Sequence, residues 1–192
     1  MPSLYDMSIP LFLRALRNQF AILHKAESHC LDNNIPLSTL LEARLAPDMY
    51  ALPAQIQGIS NTSKNTAVRV AGITVESWPD DETTFPELYA RIEKTIAFLE
   101  TVNPEAFEGK EDAEVVIKTG AAFGDLRFTG LTYIQNFALP YVYYTLPGLM
   151  VHEDPADLTV MKSNFFFHQT VSYAILRNQG VPLGKFDYLG KV

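Results

Sequence analysis

Apolar residues recur three or four positions apart along four stretches of this chain, each bounded by residues that start or stop helices. The first stretch follows Ser8 and Pro10. Phe12, Leu16, Phe20, Leu23 and Cys30 share its inner face, and Asn33-Asn34 before Pro36 end it. Residues 37–44 predict a short helix, closed by the Ala46-Pro47-Asp48 turn. The next helix runs from about Pro53 to Gly72, with Leu52, Ile56, Ile59, Ser63, Ala67 and Val70 as its stripe and Gly72 as its stop. Its other face, with Gln55, Asn61, Thr62, Asn65 and Arg69, reads as solvent-facing. Thr84-Phe85-Pro86-Glu87 reads as a capping box. Behind it, Phe85, Leu88, Ile92, Thr95, Leu99 and Val102, reinforced by Ile96, have the four-three spacing of a bundle helix that Asn103-Pro104 ends.

The pattern then changes to strand-like runs. Residues 114–118 and 125–129 predict one β-hairpin, which needs helices to pack on because a lone hairpin is marginal in water. A further helix starts near Thr129-Gly130 and carries Tyr133, Ile134 and Phe137. The last helix, residues 164–180, ends at Gly180 and places Asn164, His168, Val171 and Ile175 on one face. Together these elements predict a mainly α-helical fold, an up-and-down four-helix bundle with one small β-hairpin, in a single domain over residues 1–192.

Composition narrows what the bundle does. The chain has 192 residues, 47% of them apolar, so it can bury a sizeable core. A net charge of −7 argues against a nucleic-acid partner and against an anionic membrane surface, both of which select basic patches. No apolar run approaches the ~20 residues that cross a bilayer, and the N-terminus lacks the pattern of a secretory signal. The single cysteine, Cys30, cannot form an intrachain disulfide. Cytoplasmic residence is the expectation. Phosphate loops, dinucleotide fingerprints, serine-nucleophile elbows, His-Glu-x-x-His and paired-cysteine zinc patterns are all missing from the sequence, which disfavours nucleotide hydrolysis, dinucleotide redox chemistry and serine hydrolysis.

His168 is the leading candidate for chemistry, because an imidazole serves as base, acid or ligand near neutral pH. The bland reading is a core imidazole bonded to a carbonyl, Tyr173 or Asn164. Arg44 and Asp48 flank the Pro47 turn and are read first as partners across it, or with Asp48 capping the following helix. The functional alternative has Arg44 forking onto a substrate carboxylate. His24 and His29 are five apart and do not share a face, so they make a poor metal pair. His152 beside Glu153 and Asp154 is a weak metal candidate. The late aromatics Tyr133, Phe137, Tyr143, Tyr144, Phe165, Phe166 and Phe167 are mostly core, with a ligand pocket as the alternative.

Several blocks resemble a known family. They are residues 41–49 (Leu-Glu-Ala-Arg-Leu-Ala-Pro-Asp-Met), 81–85 (Asp-Glu-Thr-Thr-Phe), 95–99 (Thr-Ile-Ala-Phe-Leu), 107–109 (Phe-Glu-Gly), 128–130 (Phe-Thr-Gly), 137–140 (Phe-Ala-Leu-Pro) and 164–180. In this order they resemble the DUF1993 family of the DinB/YfiT-like superfamily, over nearly the whole chain. The resemblance implies a DinB-like bundle, often a homodimer. Many relatives in that superfamily hold a divalent metal with three histidines, one on the second helix and two on the last, and some are thiol-dependent transferases or isomerases. Here His168 stands where the last helix offers a ligand, but Asn164 stands four residues earlier. The second helix has no histidine, with Gln55 and Gln57 near the expected position. Relative to the family pattern, residues 141–163 are an extra segment, read either as a lid beside the pocket or as a translated retained intron.

The reading is therefore a small-molecule-binding bundle, with a cofactor-independent isomerisation, cyclisation or proton transfer as its chemistry. His168 is the catalytic group. Arg44, Gln57, Tyr133, Phe137 and Asn164 contact the substrate. No metal and no cofactor are expected, and the chain is expected to form a homodimer. The alternatives are a divergent metal-dependent DinB-like transferase and a non-catalytic dimeric interaction or stress protein.

Overall fold

A computed structural model describes residues 2–118, 124–139 and 165–190. Four helices make the frame: α1 (Ile9–Asp32), α3 (Leu52–Ala71), α4 (Phe85–Glu100) and α6 (Phe165–Asn178). Helix α3 lies between α4 and α6, and α1 closes the ring against α4 and, more lightly, α6. The core of this bundle is the apolar stripes the sequence shows: Phe12, Leu16 and Leu23 of α1, Ile56, Ile59 and Ala67 of α3, Leu88, Ile92 and Leu99 of α4, and Val171 and Ile175 of α6, all buried. The capping box at Thr84 forms, with Glu87 N–H donating to Thr84 Oγ1 and the Glu87 carboxylate accepting from Thr84 N–H. Gly72 stops α3 in the left-handed conformation, at φ 72°.

The shorter elements dress this frame. Helix α2 (Leu37–Leu41) stops short of Arg44, and the Ala43 carbonyl instead accepts from Leu52 N–H at the start of α3. Asn103 does not end α4, which has closed by Glu100. It caps a 3-10 turn (Pro104–Phe107) through Glu105 N–H. Strands β1 (Glu114–Lys118) and β2 (Asp125–Thr129) pair antiparallel from Glu114 opposite Thr129 to Lys118 opposite Asp125, with Val115 and Ile117 turned into the core. Helix α5 (Gly130–Tyr133) continues as one π-helical turn, Ile134–Ala138. Helix α7 (Lys185–Leu189) packs on α1. The segment 141–163 lies outside the described residues, as do Asn164, Tyr143, Tyr144 and His152.

One sequence expectation fails in a useful way. The supposed solvent face of α3 is not exposed: no residue from Leu52 to Ala71 is, and Gln55, Thr62, Lys64 and Thr66 are buried with the apolar stripe. Helices α4 and α6 flank α3 on two sides, and residues 73–83 add Trp78 and the Asp80 and Glu82 carboxylates against it. A helix enclosed this way must satisfy its polar side chains internally. Ser63 and Thr66 do so by donating to carbonyls one turn back, Ile59 and Thr62, at 3.0 and 2.9 Å.

Candidate functional site

Two seams of α3 gather polar side chains. In the first, against α6, the His168 ring lies directly over Gly58: a Cβ built on that glycine would sit 2.5 Å from Cδ2 and 2.7 Å from Cγ and Nε2 of the imidazole. Any other residue at position 58 forces the ring or the backbone to shift, so the bare glycine is what lets the ring lie this close to α3. Gln55, one turn earlier on α3 and buried, meets His168 Nδ1 through its Oε1 at 2.8 Å.

The polarity of that contact is fixed from its far end. Gln55 Nε2 donates to the Tyr50 carbonyl at 2.9 Å, and a carbonyl can only accept. The amide therefore presents its oxygen to the imidazole, which must carry its proton on Nδ1. The other nitrogen, Nε2, is left with a bare lone pair and has no hydrogen-bond partner among the described residues. Burial disfavours the charged form and pushes the His168 pKa down from its ordinary 6.5 to about 4. At neutral pH the ring is a neutral acceptor. A ring in that state has a lone pair to offer and no imidazolium proton to give.

The second seam is against α4 and residues 73–83. Arg91, 4% exposed, donates from Nε to Ser60 Oγ at 2.7 Å. Its two terminal nitrogens donate to the Pro79 carbonyl, Glu82, Asn61 and Asp80 at 2.7 to 2.9 Å. Trp78 closes over the seam, with Lys64 Nζ 4.7 Å and Lys94 Nζ 4.5 Å from its ring centre. Burial, then the Arg91 charge, lower the Lys64 pKa. A surface groove of about 320 Å³ runs past Trp78, Glu87 and Lys94.

The residues expected at the site divide sharply. His168 is in the first seam. Gln57 is not: two positions from Gln55 on a helix, it faces away and donates to Glu82 at 3.0 Å. Gln55, which the sequence placed on a solvent face, is the glutamine that meets His168. Arg44 is exposed on the loop before α3 and makes no ion pair with Asp48. Its guanidinium donates to the Met49 carbonyl at 2.6 Å, next to the Tyr50 carbonyl that anchors Gln55. Asp48 caps no helix, since Ala51 holds that position on α3. Tyr133 is fully buried, accepts from Arg69 at 3.1 Å and stacks on Phe137 at 5.4 Å, in a ring cluster with Phe128. Asn164 lies outside the described residues. Cys30 is buried, which pushes its thiol pKa up and away from reactivity.

A metal would find few ligands here. The first seam offers one imidazole and a neutral amide already committed at both ends, and no group of three or more His, Cys, Asp or Glu side chains among the described residues is placed to hold a metal ion. That donor set does not fit a three-histidine centre. His24 stacks on Tyr89 and His29 meets Asn33. An apolar groove of about 500 Å³ does exist, between α6 and α7, with Phe166, Tyr173 and Leu189 on its walls. It opens on the side of α6 away from His168.

The family model of a domain of unknown function, DUF1993, matches residues 4–146 and 155–189, and the chain belongs to that family. The match pauses only at residues 147–154, so the departure from the family pattern is shorter than the segment 141–163 that the sequence reading set apart. A solved structure of a DinB family member from Shewanella denitrificans is similar at 30% identity, with a TM-score of 0.76, over 98% of this chain and 93% of that one. The fold is thus a DinB-like helical bundle. No curated protein matches the chain. No helix among the described residues is long and apolar enough to cross a membrane.

Proposed function

We propose that this DUF1993 member binds a small molecule at the α3–α6 seam, with His168 Nε2 as the polar group that meets it. One observation carries the reading: a half-buried, neutral imidazole is held in one tautomer by Gln55 and Tyr50, over a glycine, and its remaining nitrogen has no partner among the described residues. A polar atom at a part-buried seam that no protein group satisfies is free to meet a ligand or water. A core histidine serving packing alone needs no such relay.

If the bundle is also a catalyst, it uses the imidazole to take a proton rather than to give one, without a cofactor. A pKa near 4 makes His168 a weak base, so the reaction it fits is transfer from an already acidic O–H or N–H, or an isomerisation that needs a positioned acceptor. Ligand-observed NMR against a fragment library tests the site. Hits on the wild type that disappear with His168→Ala, in a variant that keeps its helical circular dichroism, support the proposal. Hits that survive the substitution, or none at all, reject it. The metal-dependent transferase alternative makes a separate demand, stoichiometric metal in the purified protein by elemental analysis.

A further inference from the structure

We propose that the α3–α6 site selects ligands presenting a neutral hydrogen-bond donor, an O–H or N–H such as a phenol, enol, lactam or azole carries, and refuses carboxylates and phosphates. The inference rests on the reading of His168 as the ligand-binding group and names the class of ligand that group takes.

The argument is a chain of forced polarities. The Tyr50 carbonyl accepts, so Gln55 Nε2 donates at 2.9 Å. Gln55 Oε1 then accepts, so His168 Nδ1 carries the hydrogen at 2.8 Å. With one proton on the ring, Nε2 can only accept. Reversing any link leaves two donors or two acceptors face to face inside the protein, which costs more than one hydrogen bond. The Gly58 contact removes the remaining freedom: the ring lies against that backbone through Cδ2, Cγ and Nε2 and cannot flip without clearing it. An anionic oxygen approaching Nε2 would meet a lone pair and would need the imidazolium, which burial disfavours. Among the described residues, no Lys or Arg side chain hydrogen-bonds to His168 or Gln55 to offset that charge.

Three probes of similar shape separate the possibilities: phenol donates, anisole has the same ring without the proton, and benzoate is an anion. The readout is the His168 ring nitrogens of the full chain, followed by ¹⁵N NMR at pH 7. The free protein should show Nε2 as the bare nitrogen, and phenol should shift it with about tenfold higher affinity than either anisole or benzoate. Benzoate binding as well as phenol, or a free ring protonated on Nε2, overturns the inference while leaving the site itself in place. If none of the three moves His168, and fragment hits are likewise insensitive to His168→Ala, the site reading falls and takes this inference with it. Gln55→Leu gives an independent check that does not need a tight ligand. Cutting the relay should turn the single tautomer into a mixture and shrink the preference for phenol over anisole. An unchanged tautomer would show that Gln55 does not set it.

Discussion

Helix α3 carries a buried polar network on each flank, and the two are finished differently. Toward α4, the Arg91 guanidinium places all five of its donors on five acceptors, two of them carboxylates. Toward α6, the relay from Tyr50 through Gln55 to His168 is satisfied link by link until its last atom, which meets nothing among the described residues. A saturated network joins pieces of a fold. Arg91 fastens α4 to α3 and to residues 79–82, and has nothing left to offer a ligand. A network that ends on an open lone pair is equally well ordered but incomplete, and order without completion is what a binding site requires. Burial and charge alone would have ranked the Arg91 seam first.

The comparison breaks most readily at Arg91. Replacing it with Leu leaves Glu82, whose side chain is only 11% exposed, without its cation, and strips Ser60 and Asn61 of a donor. Removing one partner of a buried ion pair costs about 3–5 kcal/mol, and urea denaturation of Arg91→Leu should show a loss of that size with fragment hits at His168 unchanged wherever the variant remains folded. A loss below about 1 kcal/mol would mean that the seam is not a structural fastening. A lysine does not substitute, since it cannot reach five acceptors with a planar fork.

Why the sequence shows one of these flanks poorly follows from the same residues. The frame helices, the hairpin and the core stripes were legible because they depend on local signals: the Thr84 capping box, the Gly72 stop and three-four spacing. His168 was legible as a polar break in an apolar stripe. Gln55 was not, because a glutamine off the apolar stripe has the same signature whether water or an imidazole 113 residues away faces it. Arg91 was missed for the same reason, adjacent to the stripe residue Ile92 but turned toward acceptors on other segments. Periodicity records which side of a helix is apolar. It does not record a helix enclosed on more than one side, as α3 is. One signal could have been read: Gly58 sits mid-helix, where glycine costs about 1 kcal/mol relative to alanine, so something must need the space.

Gly58→Ala tests that need directly. Alanine should stabilise the helix by that ~1 kcal/mol if the space were idle. Instead its Cβ would overlap the imidazole and force the ring or the backbone to shift, and overpacking of this kind costs about 1–3 kcal/mol. Thermal denaturation should show net destabilisation, with the His168 ring displaced from Gln55 by NMR. A stabilised variant with an unmoved ring would remove the glycine from the argument and make the two flanks less distinct than they look.

Acid distinguishes the flanks next. The folded His168 pKa lies below its unfolded value, so the folded state prefers the neutral ring. That preference is fully present above about pH 6.5 and is lost as pH falls toward 4. The whole shift corresponds to about 3 kcal/mol; because the ring is only half-buried, about 2 kcal/mol is expected between those limits. His168→Gln, which keeps a hydrogen-bonding side chain without a titrating one, should flatten this part of the stability profile. Equal acid sensitivity in both proteins would place its origin elsewhere.

The smallest effect sharpens the comparison most, because it reaches the open network from outside. Arg44 is not seen to hydrogen-bond to His168, Gln55 or Tyr50, yet it donates to the Met49 carbonyl and so holds the peptide next to the carbonyl on which the relay begins. As an exposed hydrogen bond it contributes about 0.5 kcal/mol to stability, and Arg44→Ala should barely move the melting temperature. Its consequence should appear in geometry. If the loop before α3 relaxes, the Tyr50 carbonyl drifts, Gln55 loses the contact that fixes its amide, and the His168 tautomer becomes mixed although no bond to the ring was cut. A residue that is neutral for stability and visible in a ring tautomer some three links away would show that the relay is held in place along its whole length. A wild-type tautomer in Arg44→Ala would shorten the site to Gln55, Gly58 and His168, and leave the loop as mere connection.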